Sequence, residues 1–359
     1  MPLKAEIPVK KYLVLLVFGC VATMATAQVG GTTVYNFLSW APGARISALG
    51  ETNISIVDYD PTLQLANPAA LNPLMHRQIQ FSTSVDPGGV NHGNLGYVHD
   101  FGKRGTYGIG LQYITYGKIP ETDESGYESG GKIPANEINI YGGGSYRFGK
   151  IFSVGANLKV LYSALGIYRS FGMAADLGAT VNDTAHRIVA SIVAKNIGGE
   201  LMPYTKGKRQ AIPFNLQAGF SVGFKGFPVR FHLTFHDLQR WNLRYDNPAD
   251  RETNTLLGDT TTSTKSNNHF ADEFFRHFIF GAEISIKKVV FLDFSYNHQK
   301  RMEYVQTTRR SIAGFSAGIG VHVKQFSVAL ALMPMPLKQT QAHFTLAVNT
   351  GGFVKKGKK

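Results

Sequence analysis

Ile312-Ala313-Gly314-Phe315-Ser316-Ala317-Gly318-Ile319-Gly320-Val321-His322-Val323 is the stretch that decides the fold. In an extended chain, successive side chains point to opposite sides. Ala313, Phe315, Ala317, Ile319, Val321 and Val323 therefore share one face, and Gly314, Ser316, Gly318, Gly320 and His322 share the other. One face is greasy; the other is small or polar. The same rhythm recurs from residue 77 to 350, and such repetition is the signature of a transmembrane β-barrel, apolar toward lipid and polar toward the lumen.

Other stretches carry the pattern. Phe214, Leu216, Ala218, Phe220, Val222 and Phe224 oppose Asn215, Gln217, Gly219, Ser221 and Gly223. Val229, Phe231, Leu233 and Phe235 oppose Arg230, His232, Thr234 and His236. The alternation predicts an all-β, 14-stranded antiparallel transmembrane barrel over 77–350. Its third, fourth and tenth strands are expected at 105–117, 136–148 and 274–287. The joins alternate in length. Gly102-Lys103-Arg104, Gly149-Lys150, Lys225-Gly226-Phe227, Lys287-Lys288 and Lys324 make tight turns, whereas 118–135, 198–211, 238–273, 299–310 and 334–340 are longer. Outer-membrane barrels have short periplasmic turns and long surface loops. An even strand count also puts both barrel ends in the periplasm.

The composition agrees. Hydrophobic residues are 43% of the 359 and charged residues only 17%, against roughly 25% charged in soluble proteins. After the N-terminus no apolar run reaches the ~18 residues a spanning helix needs. Residues 1–27 read as a cleavable export signal: Lys10 and Lys11, an apolar Tyr12 to Met24, then the small-residue site Ala25-Thr26-Ala27. Cys20, the only cysteine, falls inside it. Lipidation of Cys20 is the alternative, but bulky Phe18 fits a lipidation site poorly. The formal charge is +13, or +11 once the leader's three lysines and one glutamate are removed. Basic chains can bind nucleic acid; export argues against that partner here. The short turns and the basic tail 351–359 hold most of the excess, on the rim expected to face anionic lipid headgroups.

Residues 28–76 do not alternate. They are rich in Asn, Pro and Ala, with apolar Phe37, Leu38, Trp40, Leu63, Leu65, Leu71 and Leu74 that need burial. A barrel of this size has a lumen wide enough to be partly filled, so this segment is expected to enter it as an N-terminal plug.

Enzymatic motifs fail on context. Gly219-Phe220-Ser221-Val222-Gly223 and Gly314-Phe315-Ser316-Ala317-Gly318 match G-x-S-x-G, but a nucleophile elbow needs a strand, a turn and a helix. Both lie within alternating strands. Ser285-Ile286-Lys287-Lys288 matches S-x-x-K without the companion motifs. His232 and His236 share a strand face, but about 13 Å of strand separates them, too far to share a metal. No enzyme activity, cofactor or metal is expected. The candidate site is instead the loop after the ninth strand, with Arg240, Trp241, Arg244 and Tyr245 as a partner-binding group. Trp and Arg are common interface anchors; a Trp of the membrane-interface belt is the competing reading.

Several words resemble the PorQ family of type IX secretion. These are Gly30-Gly31-Thr32-Thr33-Val34-Tyr35-Asn36-Phe37-Leu38, Ala44-Arg45, Ala48-Leu49-Gly50, Asn67-Pro68-Ala69, His236-Asp237-Leu238-Gln239-Arg240-Trp241 and Phe275-Arg276-His277-Phe278. The resemblance runs over the whole mature chain; the Lys-rich end and the Thr/Ser/Asn-rich insert at 253–268 depart from it. It implies a FadL-like barrel with an N-terminal plug. It also implies an outer-membrane anchor in the attachment complex, tethering a PorZ-type surface protein beside PorU and PorV, where cargo is joined to lipopolysaccharide. A FadL-like channel for small hydrophobic molecules is the alternative function.

Overall fold

The computed structural model describes residues 33–123, 125–244, 270–304, 312–335 and 339–353. The expected leader, Cys20, Tyr245, the insert at 253–268 and the terminal lysines lie outside the described residues.

Fourteen strands form one closed antiparallel barrel. They are β1 Gln78–Val85, β2 Asn91–Asp100, β3 Thr106–Thr122, β4 Glu128–Phe148, β5 Phe152–Leu165, β6 Tyr168–Asp183 and β7 Ile188–Met202. The rest are β8 Asn215–Gly223, β9 Val229–Phe235, β10 Phe278–Ile286, β11 Val290–Asn297, β12 Phe315–Val323, β13 Phe326–Pro334 and β14 Thr340–Asn349. Each strand pairs with its chain neighbour, and β1 closes on β14 in the register Gln78↔Asn349 to Val85↔Ala342. Closure leaves no unpaired sheet edge, which hydrocarbon could not solvate.

The alternation places the faces as expected. Along β12, Phe315, Ala317, Ile319, Val321 and Val323 are exposed, while Gly320 is buried. The quoted stretch is shorter as a strand than the alternation predicts: β12 begins at Phe315, and Ala313 is fully buried. Gly314 turns the chain there with φ of +90°.

The largest departure is between β3 and β4. The expected loop 118–135 is mostly strand, and the hairpin continues to the pair Thr122↔Glu128 through two register shifts. There both faces are solvated, so no alternation marks the strands, yet backbone pairing propagates. Conversely β10 starts at Phe278, not 274, because the helix Phe270–Arg276 precedes it. The β5–β6 join is only Gly166 and Ile167, so not every odd-strand join is long.

Residues 33–77 lie against the lumen face. Short helical turns at Asn36–Ser39, Ala44–Ala48, Leu63–Ala66, Pro68–Ala70 and Pro73–Met75 fold the segment compactly. The two Asn-Pro words have a local cause. Asn67 Oδ1 accepts the Ala69 N–H and Asn72 Oδ1 accepts the Leu74 N–H, both at 2.9 Å. Proline then occupies the first helical position, where its missing N–H costs nothing. Ile46, Leu49, Ile56, Leu63 and Leu71 form one apolar cluster with Val98 of β2. Phe37, Leu38 and Tyr35 form another with Ile114, Leu161 and Ala174 of the wall.

Candidate functional site

The interior is polar and occupied. Asn139, Asn157 and Asp176 point inward and are fully buried. Lys159 reaches Asp176 at 2.8 Å and Asn196 at 2.7 Å. The segment meets this lining at close range. A Cβ on Gly155 of β5 would lie 2.4 Å from the Pro68 carbonyl carbon, and one on Gly178 of β6 2.5 Å from Asn67 Oδ1. Only glycine lets the Asn67-Pro68-Ala69 backbone approach so near. Asn67 Nδ2 also donates to Ile54 O at 2.8 Å and to Thr180 Oγ1 at 2.9 Å.

Two ion-pair groups fasten the segment. Arg45 is buried, and its guanidinium grips Glu283 of β10 and Asp58 of the segment itself; Nε donates to Glu283 Oε2 at 2.9 Å. Glu283 faces Asp293 directly across the β10–β11 ladder. Two carboxyl groups side by side on one face repel, and Arg45 is the cation that offsets them. Nearer the other loops, Glu51 pairs with Lys300 of the helix His298–Glu303.

At the same end, residues 236–244 and the helix Phe270–Arg276 build a cap. The word His236-Asp237-Leu238-Gln239 extends the edge beyond β8. Leu238 N donates to Leu216 O at 3.0 Å, and Gln239 Oε1 accepts the Leu216 N–H at 2.9 Å. Asp237 takes a left-handed φ of 54° to make this bend. His277 spans the loop: Nδ1 lies 2.9 Å from His236 O and Nε2 3.1 Å from Trp241 O. Both partners are backbone carbonyl oxygens, so the ring links the two ends of the loop.

Trp241 is half exposed, with ring centroids 5.5 Å from both His277 and Phe270. Phe270, Phe274 and Phe275 are also exposed. Through Phe278 they run on to Phe280 of the outer wall. Asp272 ties the cap together: Arg276 Nε at 2.9 Å, His298 Nε2 at 3.3 Å and Arg244 Nε at 3.9 Å. Partial burial works to raise the Asp272 carboxyl, but the Arg276 and His298 contacts win and hold it below the usual range.

The sequence-derived group is thus divided. Trp241 and Arg244 join one cap, the first by ring contacts and the second through Asp272. Among the described residues Arg240 has no ion pair, and its Nε is buried without a hydrogen-bond partner; Asp246, Asp250, Glu252 and Asp259 of its loop lie outside them. Tyr245 lies outside the described residues. Sequence reasoning missed Phe270, Asp272, Phe274 and His298. The Asp272–Arg276 spacing, with aromatics on either side, is the helical signal within what reads as loop. Of the serine motifs, Ser221 is fully buried and donates to Ser55 O at 2.8 Å, a structural contact with the segment.

Comparison with solved structures follows this geometry. The toluene transporter TodX of Pseudomonas putida superposes with a TM-score of 0.54 at 12% identity, over 86% of this chain and 97% of TodX. The CymD monoaromatic hydrocarbon channel gives 0.51 at 12% identity, over 86% and 96%. A Pseudomonas aeruginosa FadL homologue gives 0.49 at 11%, over 86% and 99%. The barrel has the FadL-like outer-membrane fold. No family model and no curated protein matches the sequence. At these identities the likeness concerns the fold.

Proposed function

We propose that this outer-membrane barrel is a closed anchor that holds a partner at its long-loop end. That end would face the cell surface, with the short turns and both barrel ends in the periplasm. The partner class follows the sequence resemblance: a PorZ-type surface protein, within an attachment complex that includes PorU and PorV and joins cargo to lipopolysaccharide. The observation that carries the anchor reading is the filled, polar lumen. The space left beside the segment is a cleft of about 400 Å3 with open solvent counted, where Arg45, Asp60 and Asp293 meet Phe291, Val328, Ala329 and Ala347. The exposed aromatic cap offers a docking surface at the long-loop end.

Affinity purification of the tagged barrel from mild detergent tests this. Secretion components should come with it, and Arg240→Ala with Trp241→Ala should weaken their retention while the barrel still folds. A barrel that purifies alone, from cells whose cargo stays attached after its deletion, would refute the anchor.

A channel for small hydrophobic molecules is the second reading, and the structural comparisons favour it over secretion. TodX and CymD carry the fold and are named as a toluene transporter and a monoaromatic hydrocarbon channel. Here residues 33–77 would act as a gate. Toluene uptake into vesicles carrying the barrel, absent from empty vesicles, would select this reading.

A further inference from the structure

We infer that the short-turn end of the barrel is a collar for anionic phospholipid headgroups. The inference rests on the outer-membrane fold and not on the anchor reading, since it concerns the opposite end of the molecule.

The first observation is where backbone strain sits. Nine non-glycine residues have positive φ among the described residues, and five are Arg77, Arg187, Lys287, Lys288 and Lys324. All five lie at the short-turn end. The turn Ile286 to Val289 closes through Val289 N–H to Ile286 O at 3.0 Å, with φ of 51° and 58° on its two central lysines. That is the type I′ pattern, for which Asn-Gly is the preferred pair. In the two-residue turn Lys324-Gln325, Lys324 takes the left-handed conformation at φ 51°. Glycine or asparagine would occupy these positions with less strain. Cations stand there instead, and strain of this kind concentrates at functional positions.

The second observation is charge without ion pairs, Arg187 Nη1 donating only to the Phe224 carbonyl at 2.7 Å. Lys103, Arg104, Lys150 and Lys225 occupy the other short turns. The carboxylates of these turns are Asp100 and Asp183, and both are engaged locally. Asp100 accepts from Thr106 Oγ1 at 2.7 Å, and Asp183 lies 2.6 Å from His186 Nδ1. None of the nine cations has an ion pair among the described residues. At the long-loop end the described cations are mixed: Arg276 and Lys300 are paired, whereas Lys132, Lys206, Lys208 and Arg209 have no ion pair among the described residues.

The third observation selects a lipid surface over a protein. The cations follow every short turn around the closed ring, so no single sector stands out, and a bilayer leaflet meets the whole circumference. Exposed Phe101, Tyr107, Tyr146, Phe148, Phe224 and Phe326 sit beside the turns. Such a girdle marks the membrane interface. Lysine and arginine stems just beyond it reach headgroup phosphates.

The test reconstitutes the full barrel with spin-labelled phosphatidylglycerol or phosphatidylcholine and compares their association by electron paramagnetic resonance. The wild type should prefer phosphatidylglycerol, and the preference should fade with salt. Each lysine near a charged surface is worth up to about fivefold in affinity, so Lys287→Asn with Lys288→Gly and Lys324→Gly should reduce the preference severalfold. The same variant relieves three strained positions. Its thermal stability in zwitterionic detergent should therefore match or exceed the wild type, which separates lost lipid contact from lost fold. Equal association of both lipids with the wild type, or a preference unchanged in the variant, would overturn the collar. So would cross-linking from this ring to an acidic periplasmic protein in place of any lipid preference.

Discussion

Replacing Arg45 by methionine should loosen residues 33–77 from the wall. The side chain is buried, and so is its partner Glu283, with 8% and 7% of their side-chain surfaces exposed. The neighbouring Asp293 is 2% exposed. Arg45→Met keeps most of the apolar volume and removes the one cation shown gripping Glu283 and Asp58. Breaking one side of a buried pair typically costs about 3–5 kcal/mol, mostly from the stranded charge. Arg45→Met with Glu283→Gln removes both charges and should recover most of that loss. Trp40 is the reporter: it lies in the segment, its ring 5.2 Å from His92 of β2, and Trp241→Phe leaves it as the only tryptophan. Urea titration of Trp40 fluorescence should show Arg45→Met releasing the segment well before the barrel unfolds, with the double variant close to wild type. Planar-bilayer recordings should show added conductance for the single variant alone. If Arg45→Met costs under about 1 kcal/mol, or if Glu283→Gln adds to the damage, the ion group does not fasten the segment.

Three further outcomes follow from the same contacts. Asn67→Ala removes a helix cap and two buried hydrogen bonds, and should lower the segment's stability by about 2–3 kcal/mol, seen as faster protease cleavage within 33–77. Gly155→Ala places a methyl group 2.4 Å from the Pro68 carbonyl carbon; it should shift or expel the segment with the barrel's heat-modifiable gel mobility retained. Asp86, in the β1–β2 loop, is held up to about 6, first by burial and then by the Glu51 charge. Its folded carboxyl binds protons above the ordinary aspartate range, so this group's contribution to stability falls as pH rises from about 4 to about 6 and is flat beyond. Asp86→Asn should abolish that slope and add about 1 kcal/mol at pH 7 after screening, checked by urea midpoints across that range.

The strand count was legible because a barrel in lipid imposes one rule on every wall residue. Phe315, Ile319 and Val321 face out and Gly320 faces in for the same reason that Phe220 faces out and Ser221 in. The rule lapses where water meets both faces. The outer half of the β3–β4 hairpin therefore reads as loop, and the helix Phe270–Arg276 reads as a long connection. The cap was partly legible: the word containing Trp241 stood out by residue type, while Phe270, Asp272 and His298 come from separate segments whose meeting only the closed ring arranges.

Sequence alone determined that this chain is a fourteen-stranded barrel, because period-two alternation is a local property of each strand. It also marked residues 28–76 as something other than wall. Only the tertiary structure decided what that segment touches: Asn67-Pro68-Ala69 against Gly155 and Gly178, and Arg45 against Glu283. Those partners are separated by up to 238 residues in the chain. No local pattern encodes such pairings; they exist because closing the sheet brings distant inward-facing side chains around one confined, polar space.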